Sequence, residues 1–557
     1  MFPLAQLPEP PPAIRSASVQ QGDRIVVAGQ SSQVRWKWVG SADTHPEQLW
    51  LPLESLETRL GFRHVDGELE WFGRRVGLDS LATQTLGDEV GLEVSAWLRE
   101  VGVSTRRLGD ALHLSLPVAR VQQLRRGKGS TATRLVLDLD GPAFVQRVKN
   151  DLLLNVQTTP SQRLQMKALG LTAVQRADGL QLVGQSTRLR NLSLATPWRV
   201  VLDGVGRSGR TAAAPAQLPL GHPQIASLLR SGLVVEQRTV TVGVKPLQVF
   251  RVGGDLAGLG LTMQPLAMQG SQQGLRFLPQ LSQPAGAVIA VNGGFFNRIK
   301  QLPLGALRRN GTWLSGPILN RGVIAWDQDG VLQFGRLRLD QVLQVEGGRR
   351  WGLGFLNSGY LQRGLSRYTR ACGPIYRALS GEEQALLIRN GSVQAQFDRV
   401  TLQRGVNIPA DADLVVARGN APLPASPGDR VSVTVRSNAA LANQPNVLGG
   451  GPLLLQNGQI VLNGRGEGFS PGFLKLAAPR TVVGQGQSKQ WFLTLRGAAG
   501  SDPTLLETAL AARQLGLTDA LNLDGGSSTT LVMAGRTVMS GHDSAPRVHN
   551  GLGLVRR

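Results

Sequence analysis

The sequence predicts a strand-rich α+β protein in which small N-terminal β-rich modules precede a larger, mixed α/β domain. Three observations lead there. Hydrophobic residues make up 41% of the 557, and they come mostly as short Val/Leu/Ile runs interrupted by Gly, Asp and Asn, the pattern of strands closed by turns. Glycine and proline are abundant, at 69 and 31 residues, which suits a chain that turns often. Composition then shifts at residues 207–223, a stretch rich in Gly, Ala, Pro and Ser, so the chain divides there into a smaller and a larger part. Its length leaves room for roughly three or four domains.

Taken in order, residues 1–15 are a Pro-rich leader of polyproline-like character. In the next unit, residues 16–125, the runs 24–28 and 32–39 read as paired strands. Residues 49–61 read as a strand feeding a short amphipathic helix capped by Gly61. This unit resembles the small stalk modules of copper amine oxidase-like envelope proteins. Residues 126–206 carry two strands of one type, Thr133-Arg-Leu-Val-Leu-Asp-Leu-Asp-Gly-Pro142 and Trp198-Arg-Val-Val-Leu-Asp-Gly204, each with Arg before an alternating apolar run that ends in Asp-Gly. They resemble the AMIN domain, an all-β module that binds peptidoglycan; an ordinary β-sandwich with Arg- and Asp-flanked strands is the alternative. After the linker at 207–223, residues 224–557 form the main domain, with 338–440 a candidate insertion or cleft-shaping loop system.

The main domain holds the informative motifs. Asn522-Leu-Asp-Gly-Gly-Ser-Ser-Thr-Thr530 packs one carboxylate, two glycines and four hydroxyls into nine residues, between a helical pattern at 505–517 and an extended run at 530–533. Gly525 and Gly526 allow positive φ and close approach of a ligand, while turn N–H groups and hydroxyls can converge on an anion. An unremarkable Asp-Gly-Gly hairpin would have the same spacing. A second apolar strand, 287–291, also ends in a polar residue and two glycines, Asn292-Gly293-Gly294. Between the two lie Gly449-Gly450-Gly451-Pro452 and Pro479-Arg480-Thr-Val-Val-Gly484, and the chain closes on Ser540-Gly-His-Asp-Ser-Ala-Pro-Arg-Val-His-Asn-Gly-Leu552.

In this order, over residues 231–557, the motifs resemble the phosphodiester glycosidase family, and Tyr368-Thr369 resembles a pair that the family carries mid-domain. Ser527 stands where the family usually has a third glycine. The resemblance implies hydrolysis of a sugar–phosphodiester linkage, with a non-enzymatic carbohydrate-binding envelope protein as the alternative. Ordinary glycosidases need two carboxyl groups, one to protonate a poor leaving group. A departing phosphate monoester needs charge neutralisation more than a proton, so one carboxylate suffices. Asp524 is the expected nucleophile or general base and Asp543 a weaker second, with His542 an alternative acid or base. Arg480 and Arg547 are the expected phosphate-facing groups, because a guanidinium fork gives paired donors. Asn292 is expected to donate to sugar hydroxyls or phosphate. Gly293, Gly294, Gly450, Gly451, Gly525, Gly526, Ser527 and Ser528 are expected to line the substrate.

Charge points to anionic partners: Lys and Arg total 60 against 38 Asp and Glu, a formal +22. The arginines are dispersed, and the only tight cluster is Arg125-Arg-Gly-Lys128, which argues against nucleic acid and for a phosphate-linked glycan, peptidoglycan or an anionic wall polymer. The single cysteine, Cys372, rules out an internal disulfide, and the six histidines show no HxH or HExxH spacing. No metal site is expected, and no cofactor is identified. No apolar run approaches the roughly 18 residues of a membrane span. A signal peptide is not visible, which by itself suggests a cytoplasmic protein. The domain content points outward, and the expected location is the cell envelope, periplasm or exterior.

Overall fold

The structure is a computed structural model, described here for residues 18–40, 47–65, 68–86, 89–127, 133–148, 151–185, 189–205, 218–497, 501–541 and 545–557. Strands dominate, as the broken apolar runs predict. Among the described residues, no helix is long and apolar enough to cross a membrane.

The N-terminal part opens with the hairpin Val19–Val27 and Gln30–Val39, which lies inside a seven-stranded sheet. Its turn residues Ala28 and Gly29 both have positive φ, the backbone twist a two-residue hairpin favours. The strand Gln48–Pro52 runs directly into the short helix Leu53–Ser55 and the π-turn Leu56–Leu60, which stops at Gly61 with φ 87°. The two strands read as a repeated type, Thr133–Leu139 and Arg199–Val205, are antiparallel neighbours, and Arg134 grips Asp203 across them at 2.5 and 2.9 Å. A capped helix, Pro160–Ala168, interrupts the strands of this unit. Trp71 stacks on Phe62 at 4.5 Å and on Phe144 at 6.2 Å, so residues from both sides of position 126 share one apolar core that runs from Ile25 to Val205.

The C-terminal part starts at the helix Pro223–Arg230, whose N1 proline coincides with the end of the composition-biased stretch. Two sheets position the motifs. A seven-stranded sheet runs Val234–Val242, Lys245–Gly254, Lys489–Gly497, Arg480–Gly486, Asp519–Asn522, Leu453–Gln456 and Gln459–Ile460. A five-stranded sheet runs Leu261–Leu266, Gly551–Arg556, Ile289–Asn292, Thr530–Met533 and Arg536–Ser540. Ile289, Val291, Leu521, Leu523 and Leu531 are all at most 1% exposed and pack into one core, because buried strands on both sides of a turn leave only the turn itself near solvent. Within the region 338–440, strands from Leu339–Val345 to Val431–Ser437 build a further seven-stranded sheet. Tyr368 is buried there in a side-chain network with Arg418 and Glu383.

Candidate functional site

Asp524 sits where the chain leaves one sheet for the other. Asp519–Asn522 belongs to the seven-stranded sheet and Thr530–Met533 to the five-stranded one, so residues 523–529 form the crossing. The crossing is fastened on every side by backbone bonds. Leu523 N–H donates to Thr481 O at 2.8 Å, Asp524 N–H to Gly293 O at 3.0 Å, and Gly526 N–H to Pro479 O at 2.8 Å. The glycine turns at 292–294 and 449–451 are thereby locked against the Asp524 turn: Gly451 N–H donates to Asn522 O at 2.7 Å, and Asn522 Nδ2 returns a bond to Gly451 O at 2.7 Å.

The glycines are needed for this closeness. A Cβ on Gly293 would stand 2.0 Å from Asn550 Oδ1, one on Gly294 2.3 Å from Gly449 O, and one on Gly450 2.4 Å from Asn522 O. Gly526 has φ 60°, as its turn position suggests, whereas Gly525 has φ −121° and is small because Pro479 O lies 2.8 Å from where its Cβ would be. Gly451, with φ 118°, faces Glu467 and Phe469.

The Asp524 carboxylate is partly exposed, and burial pushes it up to about 6 against the pull of the Ser528 hydroxyl, the Gly525 N–H, Arg298 and Arg480. The Gly525 N–H lies 3.0 Å from Oδ1. Ser528 is buried and serves Asp524, whereas Ser527 faces solvent. Two polar atoms of the same segment, Asn522 Oδ1 and Thr529 Oγ1, are buried without a hydrogen-bond partner among the described residues.

Several residues expected to touch substrate are placed otherwise. Asn292 is 1% exposed and its amide is committed: Nδ2 donates to Asp524 O at 2.7 Å, while Oδ1 accepts from Thr481 Oγ1 at 2.7 Å and Thr530 N–H at 3.0 Å. It positions the Asp524 turn. Arg480 is also 1% exposed. Its guanidinium donates to the carbonyls of Leu476 and Pro503 and lies 5.7 Å from the Phe473 ring. Burial lowers it to about 10 although Asp502 and Asp524 favour its charge. Arg480 is therefore committed to backbone carbonyls against the turn, its Cδ and Nη1 3.5 and 3.7 Å from where a Gly525 Cβ would stand. Arg547 is exposed 5.5 Å over the Phe277 ring on a short edge strand. Asp543 and His542 lie outside the described residues. His549 is fully buried, its Nε2 2.7 Å from Gln272 O; burial lowers it to about 4 and leaves it neutral.

A cleft of about 230 Å³ lies between the N-terminal part and the main domain, lined from Phe295 onward by the segment that follows the Asn292-Gly293-Gly294 turn; Asp524 itself does not line it. Leu53, Glu54 and Val90 contribute from one side, and Phe295, Arg298, Arg321, Tyr360, Phe469 and Phe473 from the other. Phe295, Phe469 and Phe473 pack on one another with centroids 4.8 to 5.6 Å apart. Arg298 links cleft and carboxylate, since it lines the first and its charge acts on the second. Sequence reasoning missed it. Arg298 follows the Asn-Gly-Gly-Phe-Phe-Asn run directly, and only its partner Glu57, 241 positions away in the chain, reveals the setting. Among the described residues, no group of three or more His, Cys, Asp or Glu side chains is placed to hold a metal ion.

Residues 384–555 match the phosphodiester glycosidase family. A hypothetical protein from Synechocystis with a crystal structure is 30% identical over 97% of this chain and 99% of its own, with a TM-score of 0.56. A Burkholderia pseudomallei protein is 18% identical over 79% of this chain and 98% of its own (TM-score 0.48). The catalytic domain of zebrafish N-acetylglucosamine-1-phosphodiester alpha-N-acetylglucosaminidase is 14% identical over 58% of this chain and 83% of its own (TM-score 0.34). No curated protein is significantly similar to the chain.

Proposed function

This chain belongs to the phosphodiester glycosidase family, and we propose that it hydrolyses the bond between a sugar's anomeric carbon and a phosphodiester, with Asp524 as the reacting carboxylate. The observation that carries this reading is the setting of Asp524: a partly exposed carboxyl on a crossing turn fastened by three neighbouring segments, pushed up to about 6 by burial, and acted on by the charge of Arg298, which lines the cleft. Ionised near neutral pH, such a carboxylate either takes a proton from the water that attacks the anomeric carbon or attacks that carbon itself, forming a glycosyl ester that water then cleaves. In either route the glycosidic C–O bond breaks and the phosphate monoester leaves with the electron pair. Its charge must be met by nearby donors. Phe295, Phe469 and Phe473 supply an apolar wall of the kind small-ligand clefts have.

For substrate class, the reading is a phosphate-containing glycan of an envelope or the exterior, with peptidoglycan or an anionic wall polymer as partner of the N-terminal part. Support comes from the net charge of +22, which draws anionic polymers by long-range attraction.

The test is turnover of a panel of sugar 1-phosphodiesters by the wild type and Asp524→Asn. The variant keeps the turn and loses the charge, and kcat should fall by about 10³-fold, roughly 4 kcal/mol of transition-state stabilisation. Wild-type kcat/KM should rise with pH through about 6, the value to which burial raises Asp524. Near-wild-type turnover by folded Asp524→Asn would remove Asp524 from the chemistry.

A further inference from the structure

We propose that Arg298, held across the cleft by Glu57 of the N-terminal part, is the guanidinium that receives the substrate's phosphodiester, and that the Glu54 and Glu57 carboxylates beside it favour the singly charged diester over the doubly charged monoester product. This rests on the phosphodiester reading above and names its anion-binding group.

The backbone that carries Arg298 is pinned on both sides. Asn297, 4% exposed, donates to Gly359 O at 2.9 Å and accepts the N–H groups of Ile299 and Lys300 at 3.0 and 2.9 Å. Ile299, 7% exposed, packs into the N-terminal core. The side chain between them retains 45% of its accessibility and lines the cleft. Glu57 takes one bond from each terminal nitrogen, Nη1 at 2.6 Å and Nη2 at 3.1 Å. Nε–H and the second hydrogens of Nη1 and Nη2 have no protein partner among the described residues. A guanidinium fixed through two donors with the others open is pre-organised for a phosphate oxygen.

Arg321 and Arg480 fit less well. Arg321 also lines the cleft, but it is 7% exposed, donates to Glu467 O at 3.3 Å and lies 4.0 Å over the Phe469 ring. Arg480 is enclosed behind the turn.

The surrounding charge sets the selectivity. Arg298 faces Glu54, Glu57 and Asp524, while Arg321 also lines the cleft and Arg59, Arg147 and Arg480 act on those three carboxylates; the carboxylates nearest Arg298 are met more easily by a monoanionic diester than by a dianion. A phosphate monoester gains its second charge near pH 6; the Arg298 guanidinium meets that charge as the C–O bond breaks, and the neighbouring carboxylates make the finished dianion a weaker ligand than the diester. The product then leaves.

Dimethyl phosphate and methyl phosphate are the probes, since they carry the two charge states without a sugar, and binding to the full chain is read by phosphorus NMR titration at pH 8. The wild type should bind dimethyl phosphate at least five-fold more tightly than methyl phosphate. Arg298→Gln should lose at least ten-fold in dimethyl phosphate affinity, and Arg298→Lys, which keeps the charge and the fold, should lose less. Glu57→Gln should gain about five-fold on methyl phosphate and change little on dimethyl phosphate, a reversal that a purely structural ion pair would not produce. Unchanged diester binding by a folded Arg298→Gln or Arg298→Lys overturns the proposal, as does a wild type that prefers the monoester or binds neither probe. If Asp524→Asn hydrolysed normally while the Arg298 variants lost diester binding, the catalytic reading would fail and this one would stand.

Discussion

Two buried arginines show what separates the site from the frame that carries it. Arg418, in the sheet within residues 338–440, is 2% exposed and donates to Glu383 Oε1 at 2.7 Å, Tyr368 OH at 2.8 Å and Tyr376 OH at 2.7 Å. Burial opposes its charge, yet Tyr368, Tyr376 and Glu383 outweigh burial and hold its pKa well above the usual value. Glu383 is satisfied in turn by Tyr376 OH, the N–H groups of Leu379 and Ser380, and the Ser380 hydroxyl. Arg480 is as deeply buried, but it bonds only neutral carbonyls, and burial brings it down to about 10. The carboxyl near it is displaced the other way, to about 6. Where a buried charge faces its counter-ion directly, as Arg418 faces Glu383 although its Nη1 has no partner among the described residues, the pair fixes a structure. Where charges are enclosed and left under-compensated, they keep a driving force for chemistry, at a cost that the surrounding backbone bonds offset.

The contrast breaks most visibly at Glu383. Glu383→Ala leaves Arg418 charged, buried and without its counter-ion, and should destabilise by about 3–5 kcal/mol in denaturant titration, with kcat per folded molecule unchanged. Gly293→Ala comes next. Its Cβ would fall 2.0 Å from Asn550 Oδ1, so the interlocked turns must part, at about 2–3 kcal/mol, and activity should fall with stability because the same contacts hold Asp524.

Asp524→Asn should act in the opposite direction on stability. The folded pKa near 6 exceeds the ordinary value of 3.8, so the folded state binds this proton more tightly and ionisation favours unfolding. Above about pH 6 the Asn variant should be more stable by about 1–2 kcal/mol, with the gap shrinking as pH falls and closing below about 4. A wild type more stable than the variant at pH 7 would mean that the carboxylate is compensated after all.

The smallest effect belongs to an intermediate case, Lys245 and Glu507, 2.7 Å apart with both side chains 24% accessible. Burial works against the Glu507 charge, but Lys245 and the Thr504 groups lower its pKa overall. Its contribution is therefore present above the unfolded carboxylate range and lost as pH falls through the folded value. Glu507→Gln keeps the helix cap and should cost about 0.5–1 kcal/mol at pH 7, and less in acid.

The sequence by itself determined the strand-rich class, the paired strands read at 24–28 and 32–39, the strand-to-helix step ending at Gly61, and the Asp-Gly-Gly and Asn-Gly-Gly turns, because alternation, turn residues and caps act over a few neighbouring positions. It also singled out Asp524 as the carboxyl of the strongest motif. Tertiary structure decided which motif residues look outward. Arg480 and Asn292 share their motifs' polar character, but both are enclosed once strands from two sheets close around the turn. Glycine pairs that read as room for a ligand serve to let three backbones meet. Arg298 and Glu57 carry no local signal at all, since a cleft charge set is defined by distance in space, and these two are 241 positions apart. Local physics writes the turns; only packing decides which side chains a turn leaves free for chemistry.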